Sequence, residues 1–252
     1  MGTGTSQGVP VIGCDCPVCR SADPRDQRLR TSVLISNDSR HVVIDTGPDF
    51  RQQMLRTGLQ QLEAVLLTHE HNDHVIGLDD VRPFNFRAQK DMPVFAMQRV
   101  LNEVKSRFRY IFESNYPGVP RLELQAISEQ TQFELAGMQF QPILVWHGKM
   151  SVLGFRIGEF TYITDAKTID EPEFDKIKGT RYLVLNALHH REHHSHLNLN
   201  EALDIIHKIQ PEKAFLTHVS HHMGLAAEME EQLPANVQLA YDGQELWFTQ
   251  GR

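Results

Sequence analysis

Short apolar stretches separated by turn residues recur along the chain, and stretches with helical spacing lie between them. Apolar runs bounded by Gly, Pro, Asn or Asp predict strands at residues 32–35, 41–45, 64–68, 93–96, 138–145, 160–164, 182–185, 213–217 and 245–248. Apolar residues three and four apart predict helices at 98–112, 171–177, 198–209 and 225–232. The pattern therefore predicts a chain that mixes α and β structure throughout.

The helix predicted at 198–209 has the clearest boundaries. Asn198 stands before its first turn and Glu201 follows three residues later, which is typical of a capping box. Pro211 lies just beyond the predicted end, where a helix does not continue.

Composition predicts one globular domain over residues 1–252, because no Pro/Gly/Ser-rich linker or charge block divides the chain. No apolar run approaches the roughly 20 residues that span a bilayer, and no cationic segment with an apolar core opens the chain. We therefore expect no membrane partner. The formal net charge of -7 disfavours a protein that grips nucleic acid, since phosphate contacts depend on clustered Lys and Arg.

All 3 cysteines of the chain lie in the short run Cys14-Asp15-Cys16-Pro17-Val18-Cys19. They are odd in number and too close together to staple a fold by disulfides, which indicates metal binding in a reducing compartment, the cytoplasm. Three thiolates leave one place on a tetrahedral structural zinc ion. His221 and His222 both compete for it.

The most distinctive motif is Thr68-His69-Glu70-His71-Asn72-Asp73-His74, directly after the apolar run of the strand predicted at 64–68. Imidazole and carboxylate groups are common ligands of divalent metal ions. A solvated polar loop is the alternative, but such loops normally use Gly, Pro, Asn and Ser. The motif therefore predicts four metal ligands: His69, His71, Asp73 and His74.

Three further candidate ligands follow predicted strands: His147, Asp165 and His218. Taken singly, such residues are more often caps or turn residues, and they gain weight only together. A complete hydrolytic centre would hold one ion by His69, His71 and His147 and a second by Asp73, His74 and His218, bridged by Asp165. Two such ions share a hydroxide and clamp the attacking and leaving oxygens of a displacement.

Two other residues have competing interpretations. Asp45 is either a turn residue or a hydrogen-bond acceptor that orients a ligand imidazole. His196 belongs to a stretch with His189, His190, His193 and His194. It is either a polar residue at a helix start or a catalytic group that titrates near neutrality and either protonates the leaving oxygen or stabilises the charge of the phosphorane.

The motif His69-Glu70-His71-Asn72-Asp73-His74 resembles the His-x-His-x-Asp-His signature of the metallo-β-lactamase superfamily, and the resemblance covers essentially the whole chain. Within it, the opening Gly2 to Pro10 and the Cys-x-Cys-x-x-Cys run are similar to those of PhnP-type phosphodiesterases. PqqB-like proteins share much of this pattern.

The resemblance implies an α+β fold, a four-layer αββα sandwich with mixed sheets, and a dinuclear zinc or manganese centre. It also implies that the substrate is a small, cyclic phosphodiester, which the protein hydrolyses. The family's ligands would correspond to the seven metal-site residues given above, its catalytic histidine to His196, acting with Asp73, and its structural zinc site to Cys14, Cys16, Cys19 and His221.

The chain differs from the PhnP-type pattern in two places. Phosphodiesterases of this kind begin with an apolar strand before the Gly-Thr-Gly turn, so a first strand is expected to be missing or trimmed. Residues 98–122 match no motif, and we expect the residues that select the substrate to lie there.

Three other functions are alternatives to a phosphodiesterase: a non-catalytic PqqB-like metal-binding protein, a tRNase Z-like nuclease and a thioesterase. A homodimer is a possible oligomeric state.

Overall fold

The computed structural model describes residues 1–113 and 116–249. The chain forms two compact units, one made of Met1–Thr31 and Gln139–Arg252, the other of Ser32–Met138. The single domain predicted for residues 1–252 stays a prediction.

The unit Ser32–Met138 contains a mixed sheet with strand order β1-β2-β3-β4-β5. Strands β1 and β2 pair antiparallel, whereas β2, β3, β4 and β5 pair parallel in turn. The strands of this sheet are β1 (Val33–Asn37), β2 (Arg40–Ile44), β3 (Ala64–Leu66), β4 (Met92–Ala96) and β5 (Leu122–Ala126). The short strand β6 (Phe133–Leu135) follows in the chain and is not part of this sheet. The helices are α1 (Phe50–Thr57), α2 (Asn72–Val75), α3 (Arg82–Ala88), α4 (Gln98–Arg107) and α5 (Arg109–Glu113), with a 3-10 helix at Ile76–Val81.

The central strands of this sheet are fully buried. All three residues of β3 and the last three of β2 have 0% exposure. Strands covered on both faces read as continuous apolar runs, which is why the sequence pattern located them. Because β2 and β3 run parallel, the segments that follow them leave the sheet at the same edge.

The other unit contains a mixed sheet with the order β10-β7-β8-β9-β11-β12-β13. Strands β7, β8 and β9 pair antiparallel in turn, and β9, β11, β12 and β13 pair parallel. The strands are β7 (Met138–His147), β8 (Met150–Ile157), β9 (Phe160–Ile163), β10 (Thr168–Ile169), β11 (Tyr182–Asn186), β12 (Lys213–Thr217) and β13 (Val237–Leu239). The helices are α6 (Glu171–Ile177), α7 (Leu199–Ile209) and α8 (Ala226–Gln232), with 3-10 helices at Pro24–Asp26 and His221–Met223.

Helix α7 begins where the capping signal predicted. The Asn198 side chain accepts the Glu201 N–H at 2.9 Å, and the Glu201 carboxylate accepts the Asn198 N–H at 2.9 Å. Its apolar face, which includes Ala202 and Ile206, joins the buried core formed with Leu183 and Leu216. Capping fixes the start of the helix, and burial of this face stabilises it.

The predicted α+β class with mixed sheets is confirmed, but several elements differ from the sequence pattern. The strand predicted at 245–248 is absent from the described residues, because this segment finds no ladder and Trp247 is 85% exposed. The helix predicted at 98–112 is divided into α4 and α5. Strands β5, β6, β8, β10 and β13 and helices α1, α2 and α3 were not predicted. Among the described residues, no helix is both long and apolar enough to cross a membrane.

Candidate metal centre

The histidine motif lies at the edge of the sheet in the unit Ser32–Met138. After β3 the chain continues through the buried residues Leu67 and Thr68 to His69, and α2 starts after His71. The ring of His69 lies 4.7 Å from that of His71 and 4.2 Å from that of His74, measured between centroids. One strand end and one helical turn therefore bring three imidazoles together. Asp73 joins them, with a carboxylate oxygen 3.3 Å from Nε2 of His74.

Asp45 orients two of these rings. Its carboxylate accepts the Thr68 backbone N–H at 2.9 Å and the Thr68 hydroxyl at 2.9 Å, and it lies 2.7 Å from Nδ1 of His74. The Thr68 hydroxyl gives its proton to Asp45, so it accepts from Nδ1 of His69, 3.0 Å away. Both rings then carry their proton on Nδ1 and their lone pair on Nε2, the form that a metal ligand needs.

Asp45 is fully buried, and burial raises its pKa although His74 and Thr68 act to lower it. Of the two interpretations of Asp45, the contacts match the orienting acceptor. Thr68 was missed by sequence reasoning, because an ordinary strand-end threonine carries no signal of its role.

Arginine side chains from the segment 98–122 also contact the histidine motif. Ser114 and Asn115 of this segment lie outside the described residues. Arg99 pairs with Glu70 of the motif, and Arg107 donates to the Asn72 side chain at 3.0 Å. Helix α4 therefore supports the backbone that carries the ligands. The expectation that this segment selects the substrate stays a prediction.

Four residues cluster in the other unit: His147, Asp165 and His218 at strand ends, and His196 in the loop before α7. An Asp165 oxygen lies 3.1 Å from Nε2 of His218 and 3.5 Å from Nδ1 of His196. The His196 ring lies 4.4 Å from that of His147 and 4.9 Å from that of His218. Nitrogen and oxygen atoms of His147, Asp165 and His196 all lie within 4.8 Å of one another. Residues far apart in sequence thus form one candidate ligand cluster.

The strand directions explain this clustering. Strands β9 and β12 each pair parallel with β11, and β7 is two antiparallel steps from β9, so the C-terminal ends of β7, β9 and β12 share an edge. Asp165 and His218 follow their strands with left-handed backbone, at φ of 55° for each, and Asp45 does the same at 65°. Such values are uncommon outside glycine and mark constrained positions.

The loop after β11 positions His196. The Leu197 N–H donates to the Ala166 carbonyl at 2.8 Å, and the Ser195 carbonyl accepts from Nδ1 of His147 at 2.8 Å. Burial, with the nearby His218, lowers the pKa of His196 to about 2. This differs from the near-neutral titration expected from the sequence, because the ring lies inside the cluster rather than in solvent.

The three cysteines surround a ring nitrogen of His221. Nδ1 of His221 lies 3.3 Å from the sulfurs of Cys14 and Cys16 and 3.5 Å from that of Cys19. A tetrahedral zinc ion with ordinary bond lengths has sulfur–nitrogen edges of about 3.5 Å, so the four donors fit zinc. Between the two histidines left open by the sequence, the contacts favour His221, since His222 is exposed.

The thiols of this cluster differ in acidity. A hydrogen bond from the Cys19 backbone N–H, aided by His221, lowers the pKa of Cys16 to about 6, whereas burial raises the pKa of Cys19 to about 11. All three are free cysteines. The donor set of three sulfurs and one nitrogen is closed, which is typical of structural rather than catalytic zinc.

Comparison with known proteins gives consistent matches. The profile of the family described as "Beta-lactamase superfamily domain" matches residues 40–219. A crystal structure described as a new diphosphatase from the PhnP family is 39% identical, with a TM-score of 0.93, and the match covers 99% of this chain and 96% of that one. Zinc-bound PqqB from Methylobacterium extorquens shares the fold, with a TM-score of 0.79 over 98% of each chain at 19% identity.

Another relative has a name that indicates a different activity. The "Octanoyltransferase" of Porphyromonas gingivalis strain W83 is 44% identical over 248 residues, which is 97% of this chain. The chain spans only 50% of that relative's length. Its name therefore describes a protein about twice as long as the part that matches.

Proposed function

The chain belongs to the beta-lactamase superfamily and has the metallo-β-lactamase fold, and from this premise we propose that it is a metal-dependent phosphodiesterase. The substrate class is a small phosphodiester, with cyclic esters included. The observation that carries the proposal is the pair of ligand clusters at strand ends, one holding His69, His71, Asp73 and His74, the other His147, Asp165 and His218. The similarity to a PhnP-family diphosphatase supports phosphoryl rather than acyl chemistry.

In this proposal the candidate ligands hold one pair of divalent ions, as the family resemblance implies. His69, His71 and His147 would hold one ion, Asp73, His74 and His218 the other, and Asp165 would bridge them. Zinc and manganese both suit imidazole and carboxylate ligands. When bound, such ions acidify water and neutralise charge on phosphoryl oxygens.

The protein's own groups prepare these ligands. Asp45 and Thr68 hold His74 and His69 with Nε2 available to a metal, and the Ser195 carbonyl does the same for His147. His196 then donates its N–H to the leaving oxygen, stabilising the charge that develops there. Cys14, Cys16, Cys19 and His221 would bind a structural zinc ion that ties the N-terminal loop to the loop after His218.

The test of the catalytic role is His196→Ala, assayed on bis-p-nitrophenyl phosphate with zinc and with manganese. Loss of a positioned hydrogen-bond donor should lower kcat by about 10²- to 10³-fold, with metal content by mass spectrometry unchanged. His207→Ala is the matched control, because His207 is exposed on α7. Unchanged turnover in the His196 variant contradicts its assigned role.

The same assay separates the rival functions. Octanoyl esters and thioesters test acyl chemistry, and a precursor tRNA tests nuclease activity. Faster turnover of either substrate would overturn the phosphodiesterase assignment. Absence of hydrolysis across all metals and substrates would instead favour a PqqB-like binding protein.

A further inference from the structure

Two candidate ligands, Asp165 and His218, have left-handed backbone, and the residue after each is held at both of its backbone groups. His218 is followed by Val219, whose N–H donates to the Thr3 carbonyl at 3.0 Å and whose carbonyl accepts the Thr5 N–H at 3.1 Å. Left-handed conformations outside glycine persist where the surrounding structure fixes them. The N-terminal segment therefore fixes the backbone at His218.

At Asp165 a single side chain takes the place of such a segment. Oδ1 of Asn186 accepts the Ala166 N–H at 2.7 Å, and Nδ2 of Asn186 donates to the Ala166 carbonyl at 2.9 Å. A backbone N–H only donates and a carbonyl only accepts, so these contacts fix which carboxamide atom is oxygen and which is nitrogen. Asn186 and Ala166 are both fully buried, so solvent does not compete for the two bonds.

The position of Asn186 at the end of β11 explains why an asparagine acts here. The ladder between β11 and β9 ends with Leu185 opposite Ile163, and two residues after Ile163 the chain turns at Asp165. A carboxamide carries the same donor and acceptor as a peptide group, so the Asn186 side chain pairs with Ala166 beyond the end of the ladder. Its bond to the Ala166 N–H fixes the peptide plane that directly follows Asp165.

This peptide plane bears on where the Asp165 carboxylate points. The Thr164 hydroxyl donates to Oδ2 of Asp165 at 2.9 Å, and Oδ1 lies 3.1 Å from Nε2 of His218. A rotation of the peptide after Asp165 would turn the Cα of this residue and move Oδ1 relative to the histidine. Asn186 therefore acts on the candidate ligand through its backbone.

The Ala166 carbonyl is also shared with the loop before α7. It accepts the Leu197 N–H at 2.8 Å as well as Nδ2 of Asn186. The next residue after β11, Ala187, donates its N–H at 3.0 Å to the carbonyl of Thr217, which directly precedes a candidate ligand. The end of β11 thus joins the segments that carry the proposed catalytic histidine and two candidate ligands.

We propose that Asn186 is a positioning residue of the metal centre, which holds Asp165 in the conformation that a bridging ligand needs. This inference rests on the proposed function in one respect, the use of Asp165 as a metal ligand. The alternative role of Asn186 is purely structural: its two hydrogen bonds would then stabilise the fold and leave the ligand geometry unchanged. The two roles differ in metal binding, which can be measured without a substrate.

The main test is Asn186→Leu, which keeps the approximate size of the side chain and removes both hydrogen bonds. Manganese(II) is the probe, because thiolate ligands select zinc and leave manganese to the imidazole and carboxylate groups. Its affinity should fall about tenfold, at the lower end of the range for residues that orient metal ligands. Electron paramagnetic resonance should show a spin-coupled manganese pair in the wild type and isolated ions in the variant.

Thr161→Val is the matched control in the same sheet. The Thr161 hydroxyl lies 2.6 Å from that of Thr180, and both residues are buried. Thr161 is near the start of β9, whereas Asp165 follows its end. Loss of this hydrogen bond should lower the unfolding temperature but leave manganese affinity and spin coupling unchanged. Equal losses of affinity in the Thr161 and Asn186 variants would overturn the positioning role.

Two further variants complete the test. Asn186→Asp keeps an acceptor for the Ala166 N–H and should recover part of the lost affinity. Asn186→Ala lacks both bonds without added bulk, and it decides the question if the Leu variant does not fold. Wild-type affinity in the Leu or Ala variant, or an Asp variant that binds as weakly as the Leu variant, contradicts the proposal.

The wild type separates this proposal from the proposed function. A wild type that binds no pair of manganese ions overturns the role of Asn186. If the wild type binds the manganese pair but hydrolyses no phosphodiester, the proposed function fails while the affinities of the variants still decide the role of Asn186.

Discussion

The two ligand clusters use the same imidazole and carboxylate chemistry, but the chain delivers them differently. In the unit Ser32–Met138 the candidates lie within one strand end and one helical turn, from His69 to His74. In the other unit, His147, Asp165 and His218 come from three strands that share an edge. The first cluster depends on local geometry, with Asp45 as its long-range support. The second exists only when the sheet is formed.

The largest effect is expected from removing one carboxylate of either cluster. Asp165→Ala and Asp73→Ala should each lower phosphodiester turnover by about 10³-fold, because several kcal/mol of charge stabilisation is lost. Metal content, measured in parallel, should fall in both variants. Full metal content together with full activity in either variant would show that its carboxylate is not a metal ligand. The two clusters would then not be equivalent.

Gly77→Ala tests whether the close packing of the segment after the histidine motif stabilises the fold. A Cβ at Gly77 would collide with the Gly47 carbonyl oxygen and lie 2.9 Å from Cβ of Phe50, so the segment after α2 must shift. We expect a loss of about 3 kcal/mol in the free energy of unfolding, measured with urea. Leu55→Ala, at a side chain 66% exposed, is the control. Equal stability of the two variants would contradict the close packing.

The long-range support of the motif is tested by Asp45→Asn. The amide can still accept from Thr68, but its NH₂ would face Nδ1 of His74 and favour the tautomer with the proton on Nε2. Metal affinity or activity should fall by about 10- to 100-fold. Asp38→Asn, at an exposed turn, should change neither. Wild-type metal affinity in the Asp45 variant would show that the carboxylate does not orient the ligand.

The smallest effect concerns the second cluster. Asn198→Ala removes the cap of α7 two residues after His196 and should cost about 1 kcal/mol of stability by thermal or urea unfolding. Asn200→Ala, in the same turn and exposed, should stay within about 0.5 kcal/mol of wild type. Identical losses would mean that the capping contact contributes nothing specific.

Elements with strong local signals were predictable. Strands β2, β3, β9 and β12 have continuous apolar runs, and α7 has its capping box and amphipathic face. The segment 245–248 shows the limit, because an apolar run forms a strand only if a neighbouring strand accepts its hydrogen bonds. Short helices such as α2 have too few residues for a periodic signal.

The sequence by itself determined the donor chemistry: the histidine motif, the three cysteines and the strand-end residues supply every candidate ligand named here. Only the tertiary structure decided which ring nitrogen each histidine presents. It placed a carboxylate or carbonyl against Nδ1 of His74 and His147 and a backbone N–H against Nδ1 of His189 and His193. The reason is physical: a tautomer is fixed by the partner that folding places beside the ring, and residue type alone does not encode that partner.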